Sequence, residues 1–366
     1  MTNWVNFYHR QCVLKMLKLL YKKFVGVYMK RRVYLVAILV VIIIFGLTFL
    51  GVKKYLEKKN RDEIDSAIHG VVICDDVPFY AKAETENVKQ LQLLNKGEKV
   101  YILDEFEDDG IEWYKVKVDE RTNGFVRAEN VEYYKEINSE KVLVSDVSQF
   151  NINKNFKNMD DFEVFLLKNK ISYVYIRAGG RGYGEKGNFY YDKNYEDYAK
   201  ACEYLKIPYG FYFLDEALND KEIEEEVDFI KEFLKKNAGK YCLLPVALDV
   251  EKHDGAGRAD NIWNDRAELV QILIDRLNDE GINNILYSNA QTANLYLSDL
   301  KTKFWLAYYP EEGKVPDYWY FDTTQDGASN IKLQKRMIGW QFTEHGAGDE
   351  ISEDLDLSLM KKGFFD

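Results

Sequence analysis

Strand-like and helix-like segments alternate along the second half of the chain, and this alternation restricts the fold more than any other feature. Short apolar runs typical of buried strands recur from residue 141 onwards, most of them separated by longer segments typical of helices. Seven such runs lie at 142–148, 173–179, 209–213, 244–250, 284–288, 304–308 and 337–342. The alternation predicts an α/β fold, a TIM-like parallel β/α barrel over residues 141–366.

The fourth run, residues 244–251 (LPVALDVE), ends in two carboxylates. Side chains alternate along a strand, so Asp249 and Glu251 are predicted to point to one side and Val250 to the other. Two like charges roughly 7 Å apart along a strand raise the pKa of one of them, which produces a general acid beside an ionised partner. A solvated loop that happens to hold two acids is the other interpretation of the same residues.

In a parallel β/α barrel the carboxyl ends of the strands share one rim, where active sites lie. Polar and aromatic residues at or near these ends are Asp146, Arg177, Tyr212, Asp249, Glu251, Tyr287, Tyr308 and Trp340. Their convergence predicts an active site. The sequence contains no Gly-rich phosphate loop, zinc spacing or Ser-His-Asp arrangement that stands out, so we expect no cofactor.

The N-terminal part has a different character. Residues 33–52 form an uncharged apolar run of twenty residues, which as a helix would be long enough to cross one bilayer core. Eight basic residues precede this run and five follow it. We therefore predict a single-pass transmembrane signal anchor in the cell membrane, with residues 1–32 in the cytoplasm and the catalytic domain outside. Residues 53–67 are predicted to be a charged stalk.

Charge excludes one class of partner. Residues 1–66 hold 13 Lys and Arg against 4 Asp and Glu, whereas the rest of the chain holds 37 against 57. The acidic main body lacks the basic footprint that phosphate contacts need, so no nucleic-acid binding is expected. The four cysteines are Cys12, Cys74, Cys202 and Cys242, and their spacing fits neither a metal site nor a framework of disulfides. A disulfide between Cys202 and Cys242 is an alternative that the sequence does not decide.

Residues 68–136 show short β patterns separated by turns. The segments KGEKVYIL (96–103), WYKVKV (113–118) and NGFVRAENV (123–131) resemble the strand order of a bacterial SH3-like domain. The resemblance implies a small all-β barrel that binds cell wall or peptide. A spacer domain without a ligand is the alternative.

Nine fragments from residue 141 onwards resemble, in order, the family 25 glycoside hydrolases. They are SDVS (145–148), IRAG (176–179), residues 191–201, YGFYF (209–213), LDVE (248–251), LYS (286–288), WLAY (305–308), WQFT (340–343) and DLDL (354–357). This family consists of lysozymes that cut peptidoglycan after N-acetylmuramic acid. The resemblance implies that the partner is the peptidoglycan glycan strand.

By this resemblance, the acids Asp146, Asp249, Glu251 and Asp356 line the catalytic cleft. Glu251 would be the proton donor. Asp249 would orient and polarise the 2-acetamido group of the substrate, or otherwise stabilise the oxocarbenium-like transition state. The pair favours substrate assistance over a covalent intermediate. Asp146 and Asp356 would hold the sugar or shift the pKa values of Asp249 and Glu251. Arg177 would contact the substrate, and Tyr212, Tyr287, Tyr308 and Trp340 would offer faces for sugar rings, with barrel packing as the alternative for each aromatic.

The sequence departs from the family pattern at three places: Leu214 stands where a His is common, Ser358 where an Asn is usual, and residues 319–334 look longer than expected. These departures bear on substrate specificity rather than on the four acids. The alternatives to a muramidase are a non-catalytic wall-binding scaffold and a glucosaminidase or chitinase. Cell-envelope assembly partners are a further expectation, with wall remodelling and local wall opening as the two roles left open.

Overall fold

The computed structural model describes residues 30–84, 88–253, 255–309, 315–316, 319, 331–346 and 355–365. They fall into two compact units, one up to Ser66 and one from Ala67 onwards. In the first unit, α1 (Lys30–Ser66) is a single helix of 37 residues. Most of the predicted cytoplasmic segment, residues 1–29, lies outside the described part.

The predicted membrane anchor is not supported. Among the residues that the structure describes, no helix combines the length and the apolar character needed to cross a bilayer. This finding contradicts the predicted transmembrane helix and, with it, the predicted cell-membrane location. Most side chains of residues 33–52 lie outside the described part of α1.

The second unit begins with a seven-stranded antiparallel sheet, in the order β3-β2-β6-β5-β4-β1-β7. Its own core contains Phe79, Val100, Tyr114, Val116 and Val126. The SH3-like assignment of this sheet and its boundary at residue 136 stay predictions. The strands are β1 (Ile68–Val72), β2 (Val77–Tyr80), β3 (Gln90–Leu94), β4 (Lys99–Asp108), β5 (Ile111–Lys117), β6 (Asn123–Arg127) and β7 (Val131–Tyr133).

A second sheet of nine strands follows, and it closes on itself because its first strand, β8, pairs with both β9 and β16. Strand β10 lies outside the ring, antiparallel to β9. The strands are β8 (Lys141–Val147), β9 (Tyr173–Arg181), β10 (Phe189–Tyr191), β11 (Tyr209–Leu214), β12 (Val246–Asp249), β13 (Asn284–Asn289), β14 (Phe304–Ala307), β15 (Met337–Gly346) and β16 (Leu355–Lys361).

Helices lie between most of these strands. The longest, α4, begins after Asn219, whose side chain accepts a hydrogen bond from the Glu222 backbone N–H. Its buried residues Ile223, Val227 and Ile230 recur at helical spacing, so one face packs against the barrel. The helices are α2 (Met159–Lys168), α3 (Tyr195–Leu205), α4 (Asp220–Asn237), α5 (Trp263–Asp279), α6 (Ala290–Thr292) and α7 (Ile331–Gln334).

The predicted TIM-like β/α barrel is wrong. The ring has eight strands, and the last, β16, runs antiparallel to both of its neighbours, β15 and β8. Only eight residues separate β15 from β16, and a parallel crossover needs about ten to twelve. The end of the chain therefore returns as a hairpin, and the sequence reading missed β16 as a strand. Cys202 and Cys242, whose pairing was left open, are both free thiols.

Candidate active site

The carboxyl end of β12 presents two acids to one side. Strand pairing continues past Asp249, because the Val250 N–H donates to the Tyr287 carbonyl at 3.0 Å and the Val250 carbonyl accepts from Ser288 Oγ at 2.7 Å. The chain is thus held extended here. Val250 is fully buried in the core, whereas Asp249 and Glu251 both line a cavity. This is the alternation expected from the sequence.

Two further acids come from the strands that close the ring. Asp146 on β8 and Asp356 on β16 are directly opposite each other in the antiparallel register. Opposed residues in such a pair have Cα atoms about 4.5–5.5 Å apart, and their side chains lie on the same face. The hairpin return of β16 therefore brings together two carboxylates that are far apart in the sequence.

All four acids line one cavity of about 450 Å³. Tyr212 and Tyr287, also predicted from the sequence, lie in its wall. Residues of the wall that the sequence reading did not select are Asn289, Trp305, Ala307, Tyr309, Gln341 and Glu344. The cavity is therefore both acidic and aromatic. Its carboxyl groups could act as acid catalysts on a glycosidic bond, and its aromatic rings could pack against the faces of sugar rings.

Burial changes the acidity of these groups. Loss of hydration is the main cause that raises the pKa of Glu251 to about 7, and the nearby charge of Glu344 adds to the effect. Burial likewise raises the pKa of Asp146 to about 7, against the opposing effect of a hydrogen bond from Gln341. The pKa values of Asp249 and Asp356 are also raised, first by burial and then by neighbouring carboxylates. The four carboxyl groups together therefore carry fewer than four negative charges near neutral pH.

Gln341 connects three of the wall residues. Its Nε2 donates to both carboxylate oxygens of Asp146, at 3.3 and 3.1 Å. Its Oε1 accepts from the hydroxyls of Tyr287 and Tyr309, each at 2.7 Å. Two hydroxyl donors on one side fix the amide so that its N–H groups face Asp146.

Arg177 lies beside the cavity rather than in its wall. Its Nε donates to Asp192 at 2.9 Å, and its guanidinium lies over the ring of Phe150. The pairing of β9 with β11 places Arg177 next to Tyr212. Its positive charge opposes the rise in the pKa of Asp249. Asp249 Oδ1 is buried and accepts no hydrogen bond from the described residues.

Two predicted contacts are not brought to the cavity. Trp340 is fully buried in the core, where its Nε1 donates to the Tyr308 carbonyl at 2.8 Å. Tyr308 packs against the same core. Their neighbours Gln341 and Tyr309 line the cavity instead. Consecutive side chains of an extended chain point to opposite faces, so a residue and its neighbour are divided between core and cavity at both places.

Alternation along β14 and the two residues after it shows the same arrangement. Trp305, Ala307 and Tyr309 all line the cavity, and they are spaced by two. Ser358, which stands where the family usually has an Asn, accepts a hydrogen bond from Trp305 Nε1 at 3.0 Å in the barrel interior. The described residues contain no group of His, Cys, Asp and Glu arranged to hold a metal ion.

The comparisons with known proteins give one family. Residues 145–351 match the model of the glycosyl hydrolases family 25. No curated protein matches this chain.

Several solved structures align with it. The spore cortex lytic enzyme SleM of Clostridium perfringens is 21% identical over 63% of this chain and 70% of that one, with a TM-score of 0.47. The modular autolysin LytC of Streptococcus pneumoniae is 21% identical over 79% of this chain and 57% of that one, with a TM-score of 0.45. A family 25 glycosyl hydrolase of Bacillus anthracis is 18% identical over 63% of this chain and 94% of that one, with a TM-score of 0.43.

Proposed function

The chain belongs to family 25 of the glycosyl hydrolases, and from this membership we propose that it cleaves the β-1,4 bond between N-acetylmuramic acid and N-acetylglucosamine in peptidoglycan. The observation that carries the proposal is the cavity in which Asp249 and Glu251, from the end of one strand, face Asp146 and Asp356. A glycosidase needs a proton donor at the leaving oxygen and a stabilised positive charge at the anomeric carbon. This arrangement offers both.

Glu251 is the proton donor in this proposal. A pKa of about 7 keeps a large fraction of its carboxyl groups protonated at neutral pH, so the acid is available where an ordinary glutamate would be ionised. The proton passes to the glycosidic oxygen as the bond to the anomeric carbon breaks. Glu251 is then an ionised base that can take a proton from the incoming water.

Asp249 assists from the same side of the strand. Its buried Oδ1 would accept a hydrogen bond from the N–H of the 2-acetamido group of N-acetylmuramic acid. This hydrogen bond would favour the ionised form of the carboxyl group. The acetamido oxygen then attacks the anomeric carbon and forms a cyclic intermediate that water opens. The nearby charge of Arg177 also favours ionised Asp249.

Asp146 and Asp356 complete the cleft. Their paired position on β8 and β16 lets them form hydrogen bonds with sugar hydroxyls, and the ionised form of either carboxyl group favours the oxocarbenium-like transition state. We propose that the small sheet of residues 68–136, as an SH3-like domain, binds the cell wall or spaces the enzyme within it. Assembly partners in the cell envelope stay a proposal without a defined surface.

The test is digestion of purified peptidoglycan by the full-length chain and by Glu251→Gln, with products reduced by borohydride and read by mass spectrometry. We expect new reducing ends at muramic acid and a loss of about 10²–10⁴-fold in rate for Glu251→Gln, the usual contribution of a general acid. Glu232→Gln, an exposed change on α4, is the matched control and should cleave like the wild type.

The other outcomes are distinct. Reducing ends at glucosamine would move the enzyme to the glucosaminidase class. No cleavage together with retained binding to wall material would overturn the proposed activity and favour a wall-binding scaffold. Full activity of Glu251→Gln would remove that residue from the chemistry.

A further inference from the structure

A second cavity, of about 380 Å³, lies where the turn between β3 and β4 meets the loop that follows β8. The turn contributes Lys96, and the loop contributes Lys154 and Lys157. Asp161, at the start of α2, is its one acidic wall residue. Three positive charges against one negative charge give a basic site on a chain whose main body is strongly acidic.

The loop side of this cavity is held in place by its own hydrogen bonds. Asn151 Nδ2 donates to Asn155 Oδ1 at 2.9 Å, and the Asn155 and Phe156 backbone N–H groups donate to the Asn151 carbonyl. Asn155 and Phe156 are both buried and both line the cavity. The lysines thus project from a fixed backbone, which lowers the entropic cost of ordering them around a ligand.

The turn side is fixed as well. Lys96 Nζ forms an ion pair with Asp161 at 2.8 Å. Gly97 has a φ of +85°, and a Cβ at this position would lie 2.2 Å from the Cβ of Asp160. Only glycine allows so close an approach in this backbone conformation. The small sheet and the hydrolase barrel therefore form the cavity together.

The loop that lines the basic cavity is joined to a strand that lines the catalytic cavity. This loop leaves β8 directly after Val147, one residue beyond the catalytic-cavity acid Asp146. The charge of Lys154 reaches Asp356 and opposes the rise in the pKa of that carboxyl. In the part of the chain that the structure describes, Lys157 forms no ion pair.

We propose that the basic cavity binds the carboxylate groups of the peptide stems that the glycan strand carries. The inference rests on the proposed function, because the stems are attached to muramic acid, the sugar on one side of the bond to be cut. A strand seated in the catalytic cavity would present its stems to the adjacent surface. Lysine ammonium groups bind carboxylates as point charges, without a fixed orientation, which suits a flexible peptide.

The experiment compares two substrates with the full-length chain. One is peptidoglycan freed of attached phosphate polymers, and the other is the same material with its stem carboxylates converted to amides by carbodiimide and ammonia. We expect the wild type to have a five- to tenfold higher kcat/KM on the free carboxylates, mainly through KM. Lys157→Met should abolish this preference, and Lys157→Arg should restore most of it.

Lys235→Met, an exposed change on α4, is the matched control and should keep the preference. Equal cleavage of both substrates by the wild type would overturn the inference and leave the proposed function intact. A preference that survives in Lys157→Met would also overturn it. No cleavage of either substrate by the wild type would overturn the proposed function, and the inference with it.

Discussion

The neutral side chain of Gln341 lowers the pKa of the neighbouring carboxyl group of Asp146. Its N–H groups face Asp146, and two tyrosine hydroxyls hold it in that orientation. Hydrogen bonds donated to a carboxylate favour the ionised form. Burial alone would therefore raise the pKa of Asp146 further than it does in the presence of Gln341. We regard Gln341 as a positioning residue that acts through Asp146.

The first prediction concerns Gln341→Leu. Removal of the donor should raise the pKa of Asp146, so the acidic limb of the kcat/KM profile should move to higher pH. We expect a loss of about tenfold or more at neutral pH, since a charge-assisted hydrogen bond contributes about 1.5–3 kcal/mol. The measurement is kcat/KM on peptidoglycan between pH 4 and pH 8.

A milder change separates orientation from donation. Tyr309→Phe removes one of the two hydroxyls that hold the amide but leaves the bond from Tyr287 in place. We expect a smaller shift of the same limb. If Gln341→Leu lowered kcat without moving the limb, the proposed action through Asp146 would be refuted.

The sequence indicates which residues line the cavity most clearly where a carboxylate ends a strand, and least clearly where both faces of a strand are buried. Asp146, Asp249 and Glu251 were found because a carboxylate that ends an apolar run is conspicuous. The sequence does not distinguish Tyr308 from Tyr309 or Trp340 from Gln341, because a strand packed on both faces shows little polar contrast between its two sides. Counting in steps of two from Trp305 would have selected Tyr309.

At the scale of elements, α5 supports the site through Arg266. This residue is fully buried; its guanidinium pairs with Asp215 Oδ1 at 2.7 Å and donates to the Asp215 and Ala217 carbonyls. The Asp215 backbone N–H in turn donates to the Asp249 carbonyl at 3.0 Å. The helix therefore fixes the loop that borders β12, the strand that ends in Asp249.

The second prediction compares two arginines of α5. Arg266→Leu leaves Asp215 buried without its partner, and breaking such a pair costs about 3–5 kcal/mol of unfolding free energy. Arg276→Leu breaks an ion pair with Glu224 in which both side chains are half exposed, and the expected cost is below about 1 kcal/mol. Urea unfolding followed by circular dichroism measures both. Equal costs would contradict this account of α5.

The last hairpin shows what element-level reading missed. Residues 355–361 alternate in the manner of a strand, with Leu355, Leu357 and Leu359 on one face. The strand–helix alternation stops after residue 342, and the connection to residue 355 is too short for a parallel crossover. These two facts predict that the last strand is antiparallel to the one before it. The strand–helix alternation predicts the parallel strands of the barrel. The antiparallel closure can be predicted only from the length of the loop between β15 and β16.

At the scale of the whole molecule, the acidic cavity should make stability depend on pH. A carboxyl group whose pKa is higher in the folded state binds more protons there than in the unfolded state, so stability falls as the pH rises through the interval between the two values. That interval runs from about 4 in the unfolded chain to about 7 for Asp146 and Glu251. The cavity thus opposes folding most strongly above pH 7.

The third prediction follows for Asp356→Asn. The change replaces a carboxyl group whose pKa is raised by burial with a neutral amide, so it should raise the melting temperature at pH 8 by about 2–4 °C, equivalent to roughly 1 kcal/mol in a domain of about 150–250 residues. The gain should shrink at pH 4, where the wild-type group is protonated. Asp108→Asn on the exposed part of β4 is the control. A gain of the same size at both pH values would exclude this electrostatic origin.

The position of β16 between β8 and β15 has a consequence for synthesis of the protein. The ribosome releases residues 355–361 long after it has released β8, and until then the nascent barrel is an open sheet with two unpaired edges. Asp146 has no counterpart across the gap during this time. The four acids that line the cavity can therefore come together only after β16 has been translated.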